Sequence, residues 1–227
     1  MKFAMGEMVT GTVSGVLLVA VLVGSFTLAR ERVPGPLFRL PPPRAAVVLW
    51  AVVAVPSLVQ IPAPVVLHAF ERDPALLRDG HWWRILTSGM VQDGGVLGTV
   101  VNLGVLAAVA PMAVAVWGTW RAVFLLVASQ IIVGLTMAFL FPSSGAGNSG
   151  ATWALAASVV GLVVMSAAGR RELTIGVAVL GGGVVLVSLG DVHGFGVLTG
   201  ALLGAAVATV IPPVPVRRPV GAGRRGS

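Results

Sequence analysis

Long apolar stretches alternate with short polar ones along the whole chain. The apolar runs cover roughly 9–29, 45–67, 96–117, 122–141, 148–168, 173–190 and 194–212. A helix needs about 20 predominantly apolar residues to cross the hydrocarbon core, so the pattern predicts seven membrane spans. No Asp, Glu, Lys or Arg lies between Asp93 and Arg121, between Arg121 and Arg170, or between Asp191 and Arg217. Helices on a soluble core need a charged outer face, and these stretches offer none. Pro212 and Pro213 close the last run. The first run is too long for a signal peptide and is followed directly by Arg30 and Arg32, so it is expected as a retained anchor.

The polar segments divide the chain further. Residues 30–44, RERVPGPLFRLPPPR, read as a proline-broken linker. The expected layout is an extra N-terminal transmembrane helix over 1–29, this cytoplasmic Pro/Arg-rich linker, a six-helix core over 45–212, and a basic cytoplasmic tail over 213–227. Residues 68–95, HAFERDPALLRDGHWWRILTSGMVQDGG, form one long loop with Trp82 and Trp83 at its middle. Tryptophans settle at the headgroup level of a bilayer, so this loop is expected to lie partly in the interface.

Composition agrees with the pattern: 56% of the 227 residues are hydrophobic and 10% are charged. Average soluble proteins carry roughly a quarter charged residues. The net charge of +7 comes almost wholly from Arg, with Lys2 the single lysine. These arginines sit in short loops and tails, where they act as topology signals, so no nucleic-acid partner is expected. With the N-terminus outside, the inner segments hold Arg30, Arg32, Arg39, Arg44, Arg121, Arg170, Arg171, Arg217, Arg218, Arg224 and Arg225. Only Lys2, Arg72, Arg78 and Arg84 then lie outside, which supports an outer N-terminus and an inner C-terminus. The chain has no Cys, and the histidines at 68, 81 and 193 show no ligand spacing. Neither a metal nor a cofactor is expected.

Two polar islands stand at the entrances to apolar runs: GAGNSGATW at Gly145 to Trp153, and DVHGFGVLTG from Asp191 to Gly200. With the orientation above, both runs start at the outer face. Ser149 and His193 therefore come out at similar depth. Gly150, Ala154, Ala157 and Gly161 share one face of the first helix, and Gly196, Gly200 and Gly204 form a stripe on the second. Small-xxx-small faces let helix backbones approach closely in lipid. A serine hydroxyl becomes a useful nucleophile when neutral imidazole accepts its proton. At the first turn of a helix it also has free backbone N–H groups and the positive end of the dipole beside it. Such donors can hold an oxyanion. A loop serine and an interfacial histidine with no joint role remain the bland reading of the same residues.

These residues resemble the rhomboid intramembrane serine proteases. The match is G-x-S-G at Gly147-Asn148-Ser149-Gly150, opening the fourth core helix, with H-x-x-G-x-x-x-G at His193, Gly196 and Gly200, opening the sixth. Trp83-Arg84 is similar to the family's W-R before the second core helix, and Asn102 to its oxyanion asparagine. The resemblance covers about 45–212 and implies an all-α polytopic membrane protein with a six-helix rhomboid-like core. It implies a Ser-His dyad without an acidic third member, cutting single-span transmembrane protein substrates near the outer face of the lipid bilayer. Ser149 would be the nucleophile and His193 the general base and acid. The backbone N–H of Ser149 and the amide of Asn102 would hold the oxyanion, with Gly147, Asn148 and Gly150 as the active-site loop. The expected location is the bacterial plasma membrane, multi-pass, with the site toward the outer face.

Two positions depart from the family. Gly98 stands where it usually has a histidine, four residues before the asparagine, and Val114 where it often has a glutamate, in a segment expected to join two helices over Ala110 to Gly118. Losing one oxyanion donor costs about 10²–10³ in rate. The alternative is thus a catalytically weak or inactive rhomboid-like protein that binds transmembrane helices. Other classes fit less well. A membrane metalloprotease needs H-E-x-x-H or similar ligands, and an ion-coupled transporter needs ionisable groups within its helices. An aspartyl protease needs two intramembrane aspartates, and only Asp191 lies near a span.

Overall fold

The computed structural model describes residues 2–166 and 168–213. The basic tail expected over 213–227 lies, beyond Pro213, outside the described residues. The chain is all-helical, and among the described residues the only β feature is an isolated antiparallel bridge between Arg72 and Gly145. In chain order the helices are α1 (Lys2–Arg32), α2 (Arg44–Val59), three short helices α3 (Val65–Phe70), α4 (Pro74–Arg78) and α5 (Arg84–Thr87), then α6 (Gly95–Trp117), α7 (Thr119–Leu135), α8 (Ser149–Val164), α9 (Arg170–Ser188) and α10 (Val192–Val210). A 3₁₀ turn, Ser88–Met90, follows α5, and a π-helical turn, Thr136–Leu140, extends α7.

Five stretches are long and apolar enough to cross a membrane: Thr10–Arg32, Gly95–Trp117, Thr119–Leu140, Arg170–Ser188 and Val192–Val210. By helix length and composition this is a multi-pass membrane protein. The other two of the seven expected spans, α2 and α8, are helices of 16 residues. At 1.5 Å per residue each is about 24 Å long, short of a hydrocarbon core of about 30 Å. The run expected over 45–67 stops at Gln60; α2 tolerates a single proline at Pro56, but Pro62 and Pro64 follow as a close pair, each lacking the N–H for a helical bond. The join expected over Ala110 to Gly118 is instead the last two turns of α6 and a single residue. Gly118 adopts φ +76, a conformation that costs glycine little, and α7 begins at the next residue.

Helix α8 is the hub. All its residues except Ser149, Leu162 and Val164 are buried. Helices that surround it replace the lipid, so it need not match the bilayer thickness. Trp117 donates to Ser158 Oγ at 2.9 Å and ties α6 to its C-terminal half. The closest packing is with α10. A Cβ on Gly196 would overlap the carbonyl of Gly150, one on Gly200 that of Ala154, and one on Gly204 that of Ser158. These contacts advance by four residues on each helix together. The two helices therefore run parallel and in register along the small-residue stripes.

Helix α1 packs antiparallel on α9. Where α1 ends and α9 begins, Arg32 pairs with Glu172 at 2.6 Å, and Arg171 with Glu31. Further along, Gly24 meets Val179, and Gly182 meets Val21. The extra N-terminal helix is thus built into the bundle. Val21, Leu28 and Ala29 are members of the one large core that also includes α2, α6, α7, α8, α9 and α10.

Candidate active site

The register of α8 and α10 places the site. One step back along the stripe from Gly196 and Gly150 brings His193 beside the turn that leads into Ser149. The ring of Trp153, one turn below Ser149, meets the imidazole of His193 edge-on, with centroids 6.4 Å apart and planes at 74°. Ser149 and His193 are both half-buried. Among the described residues, Ser149 Oγ makes no hydrogen bond, to His193 or to any other group.

His193 is held from its other side. Its Nδ1 lies 2.6 Å from Asp191 Oδ1, and the same oxygen accepts from the His193 backbone N–H at 3.0 Å. Asp191 thereby caps α10 and orients the ring at once. Burial pushes the Asp191 carboxyl upward, but hydrogen bonds from the His193 side chain and backbone, with the charge of His193 and the Ser14 hydroxyl of α1, outweigh it. Its pKa falls to about 2. An ionised carboxylate only accepts, so Nδ1 carries the proton of this contact. In the neutral imidazole Nε2 is then the lone-pair nitrogen.

The loop before Ser149 is pinned to the long segment over 68–95. Gly147 donates to the carbonyl of Ser88 at 2.8 Å, Ala146 to Asp93 Oδ2 at 2.8 Å, and Arg72 and Gly145 exchange the backbone bonds of the isolated bridge. Buried Arg84 in turn donates to the carbonyls of His68 and Glu71 at 3.0 and 2.8 Å, folding that segment on itself. Trp82 and Trp83 remain about half exposed at 54% and 53%, as interfacial tryptophans would be.

Below the loop lies a network of uncharged polar groups. Gln92 is 1% exposed. Its Nε2 donates to Asn148 Oδ1 at 2.8 Å and to Ser57 Oγ at 3.2 Å, and its Oε1 accepts from Asn102 Nδ2 at 2.8 Å. Gln60 closes a two-way bridge to the Gln92 backbone. Asn148 donates onward to Thr152 Oγ1 at 2.7 Å. Two consequences bear on chemistry. First, Asn148 is the N-cap residue of α8 but makes no cap with its side chain. The first N–H groups of α8 therefore stay free at Ser149. Second, the Asn102 amide has two N–H bonds, of which Gln92 takes one, so the other is left for a ligand.

Gly147 stands where these groups converge. A Cβ there would lie 3.4 Å from Gln92 Oε1, 3.7 Å from Ser149 Oγ and 3.8 Å from Asn102 Nδ2, and its φ is +142. Those are ordinary contacts that leave room for a methyl; it is the backbone conformation that calls for glycine. At Gly98, one turn above Asn102, a Cβ would meet nothing within 4 Å.

The structure thus gathers Ser149, His193, Asn102, Gly147, Asn148 and Gly150 at one end of the bundle, with Gly196, Gly200 and Gly204 as the helix contact that brings them there. It adds Gln92, Trp153 and Asp191, which the sequence did not single out for this site. Their only signal was a polar or aromatic residue at the edge of an apolar run. No group of His, Cys, Asp and Glu among the described residues could hold a metal. The chain matches no family model, no curated protein and no solved structure.

Proposed function

We propose that the chain is an intramembrane serine protease of the rhomboid type, with α2, α6, α7, α8, α9 and α10 as its six-helix core and α1 as an additional helix. What supports this reading is the parallel α8–α10 contact, with the His193 ring against Trp153, one turn from Ser149, and the Ser149 hydroxyl and Asn102 amide both close to Gly147. Ser149 Oγ attacks the peptide carbonyl carbon as its proton passes to His193 Nε2, and the carbonyl electron pair moves to oxygen. The resulting oxyanion takes hydrogen bonds from the Ser149 N–H and the free Asn102 N–H. On collapse the C–N bond breaks, and His193 returns the proton to the leaving amine. Water, deprotonated by the same imidazole, then cleaves the acyl-enzyme ester.

Substrates of this reading are single-span membrane proteins, cut near the outer face of a bacterial plasma membrane. The shortness of α8 fits that depth, since its first turn lies below the ends of its longer neighbours. The test is co-expression with a panel of single-span reporters, wild type against Ser149→Ala and His193→Ala. Cleavage in the wild type and its loss in both variants is expected, because nucleophile and base act as a unit. Full cleavage by either variant would end the proposal.

The second reading, a helix-binding relative with little or no activity, draws on the absent Ser149–His193 hydrogen bond and on Gly98. Hydrogen bonds of this kind are often long before substrate binds, so the first reading stands ahead. Reporters that bind the wild type but are never cut would decide for the second.

A further inference from the structure

The family resemblance implies a dyad with no acidic member, yet a carboxylate lies directly against the imidazole. We propose that Asp191 is a positioning residue for His193: it holds Nδ1–H and thereby presents Nε2 to Ser149. This rests on the protease reading above for its catalytic consequence, but the contact itself does not.

Three observations support it. The Nδ1 to Oδ1 distance is 2.6 Å, within the range of a charge-assisted hydrogen bond. Asp191 also binds the backbone N–H of His193, so ring and main chain are fixed by one oxygen. The side chains are only 26% and 16% exposed, His193 and Asp191 respectively, so water screens the pair poorly. Facing them are the Trp153 ring from α8 and the Ser14 hydroxyl from α1, neither of which titrates in the range of either group. A neutral imidazole has two tautomers. The one protonated on Nε2 would point a donor, not a base, at Ser149. The carboxylate selects the other, and it also stabilises the imidazolium that forms when Ser149 gives up its proton.

A purely structural Asp191 would serve as the helix cap alone, and Asn and Ser cap as well as Asp. The variants Asp191→Asn and Asp191→Ser therefore separate the two roles. Both are expected to keep the helical fold at neutral pH, with a melting temperature lowered only by the lost charged contact, while kcat on a reporter falls by about 10²-fold or more with KM little changed; the same change in a Ser-His-Asp triad costs about 10⁴. Nitrogen NMR of protein labelled in its histidine rings, with the His193 signals assigned by their absence in His193→Ala, reads the tautomer without any turnover. Wild type is expected to show neutral His193 protonated on Nδ1, and Asp191→Asn to lose that preference. Wild-type kcat in both variants, or an unchanged tautomer in Asp191→Asn, would overturn the proposal. A wild type inert to every reporter would sink the protease reading, and the tautomer would then decide the positioning role alone.

Discussion

At the scale of single residues, the site depends on small polar groups whose partners are already assigned. Asn102 is held by Gln92 and has one N–H to spare. We expect Asn102→Ala to raise the barrier by at least about 2 kcal/mol, roughly a 30-fold loss in kcat/KM. An unchanged rate would place the oxyanion elsewhere. Gly98→His, whose Cβ has open space, should raise the rate by restoring a donor; a histidine there that folds yet leaves the rate unchanged would show that the ring does not reach the oxyanion. Asp191 gives the pH dependence. Its folded pKa of about 2 lies below the ordinary value of 3.8, so the stability it contributes is present above about pH 4 and is lost as pH falls towards 2. Melting temperatures in detergent should fall over that window in wild type and fall less in Asp191→Asn. Ser149 and His193 stand out in the sequence because each is a polar residue opening an apolar run, whereas Asn102 enters only through the resemblance to the rhomboid family. Gln92 does not stand out, because a lone amide in a loop carries no periodicity; only folding of the segment over 68–95 brings it under Asn148.

At the scale of elements, glycine spacing was the most readable signal. The stripe at Gly196, Gly200 and Gly204 does what small-residue faces do in lipid: it seats one helix on the backbone of another. Gly200→Ala should therefore destabilise the protein by at least about 2 kcal/mol, since the added methyl has only backbone to push against. The measurement is thermal or denaturant unfolding in detergent, and a neutral result would contradict the packing. The triplet Gly181-Gly182-Gly183 is different. From sequence it suits a soft point or tight packing equally well, and the rhomboid resemblance tips the expectation toward movement, but α9 runs unbroken through it. Gly183 faces Val197 of α10, Gly182 faces Val21 of α1, and only Gly181 has free space. Gly181→Ala should be neutral or stabilise by up to about 1 kcal/mol, whereas Gly183→Ala should destabilise, because Val197 would lie 2.8 Å from the new methyl. Equal effects at the two positions would favour a soft point. The packing was hidden because each glycine's neighbour lies on a different, distant helix.

At the scale of the whole molecule, the fold is a bundle closed around one short central helix, with the segment over 68–95 pinned to the loop before its first turn. The apolar runs could be read from hydropathy, and five of the seven are helices long and apolar enough to cross a membrane. The place of α1 could not be read: nothing in residues 9–29 announces that they dock on α9 through paired ion bridges where α1 ends and α9 begins. Because the chain has no Cys, single introduced cysteines report topology cleanly. Asp79→Cys in the outer loop should react with a membrane-impermeant maleimide in intact cells. Met165→Cys, exposed at the opposite end of α8, should react only after lysis; the reverse pattern would invert the bundle. The central claim is that the α8–α10 contact makes Ser149 a nucleophile. It is tested most directly by labelling with a fluorophosphonate, which forms a phosphorus–oxygen bond with an activated serine and expels fluoride. Peptide mapping should find the label on Ser149 in the wild type, with none in Ser149→Ala and at most a trace in His193→Ala. A folded wild type that takes no label at Ser149, or a His193→Ala variant labelled as fast as wild type, would contradict it.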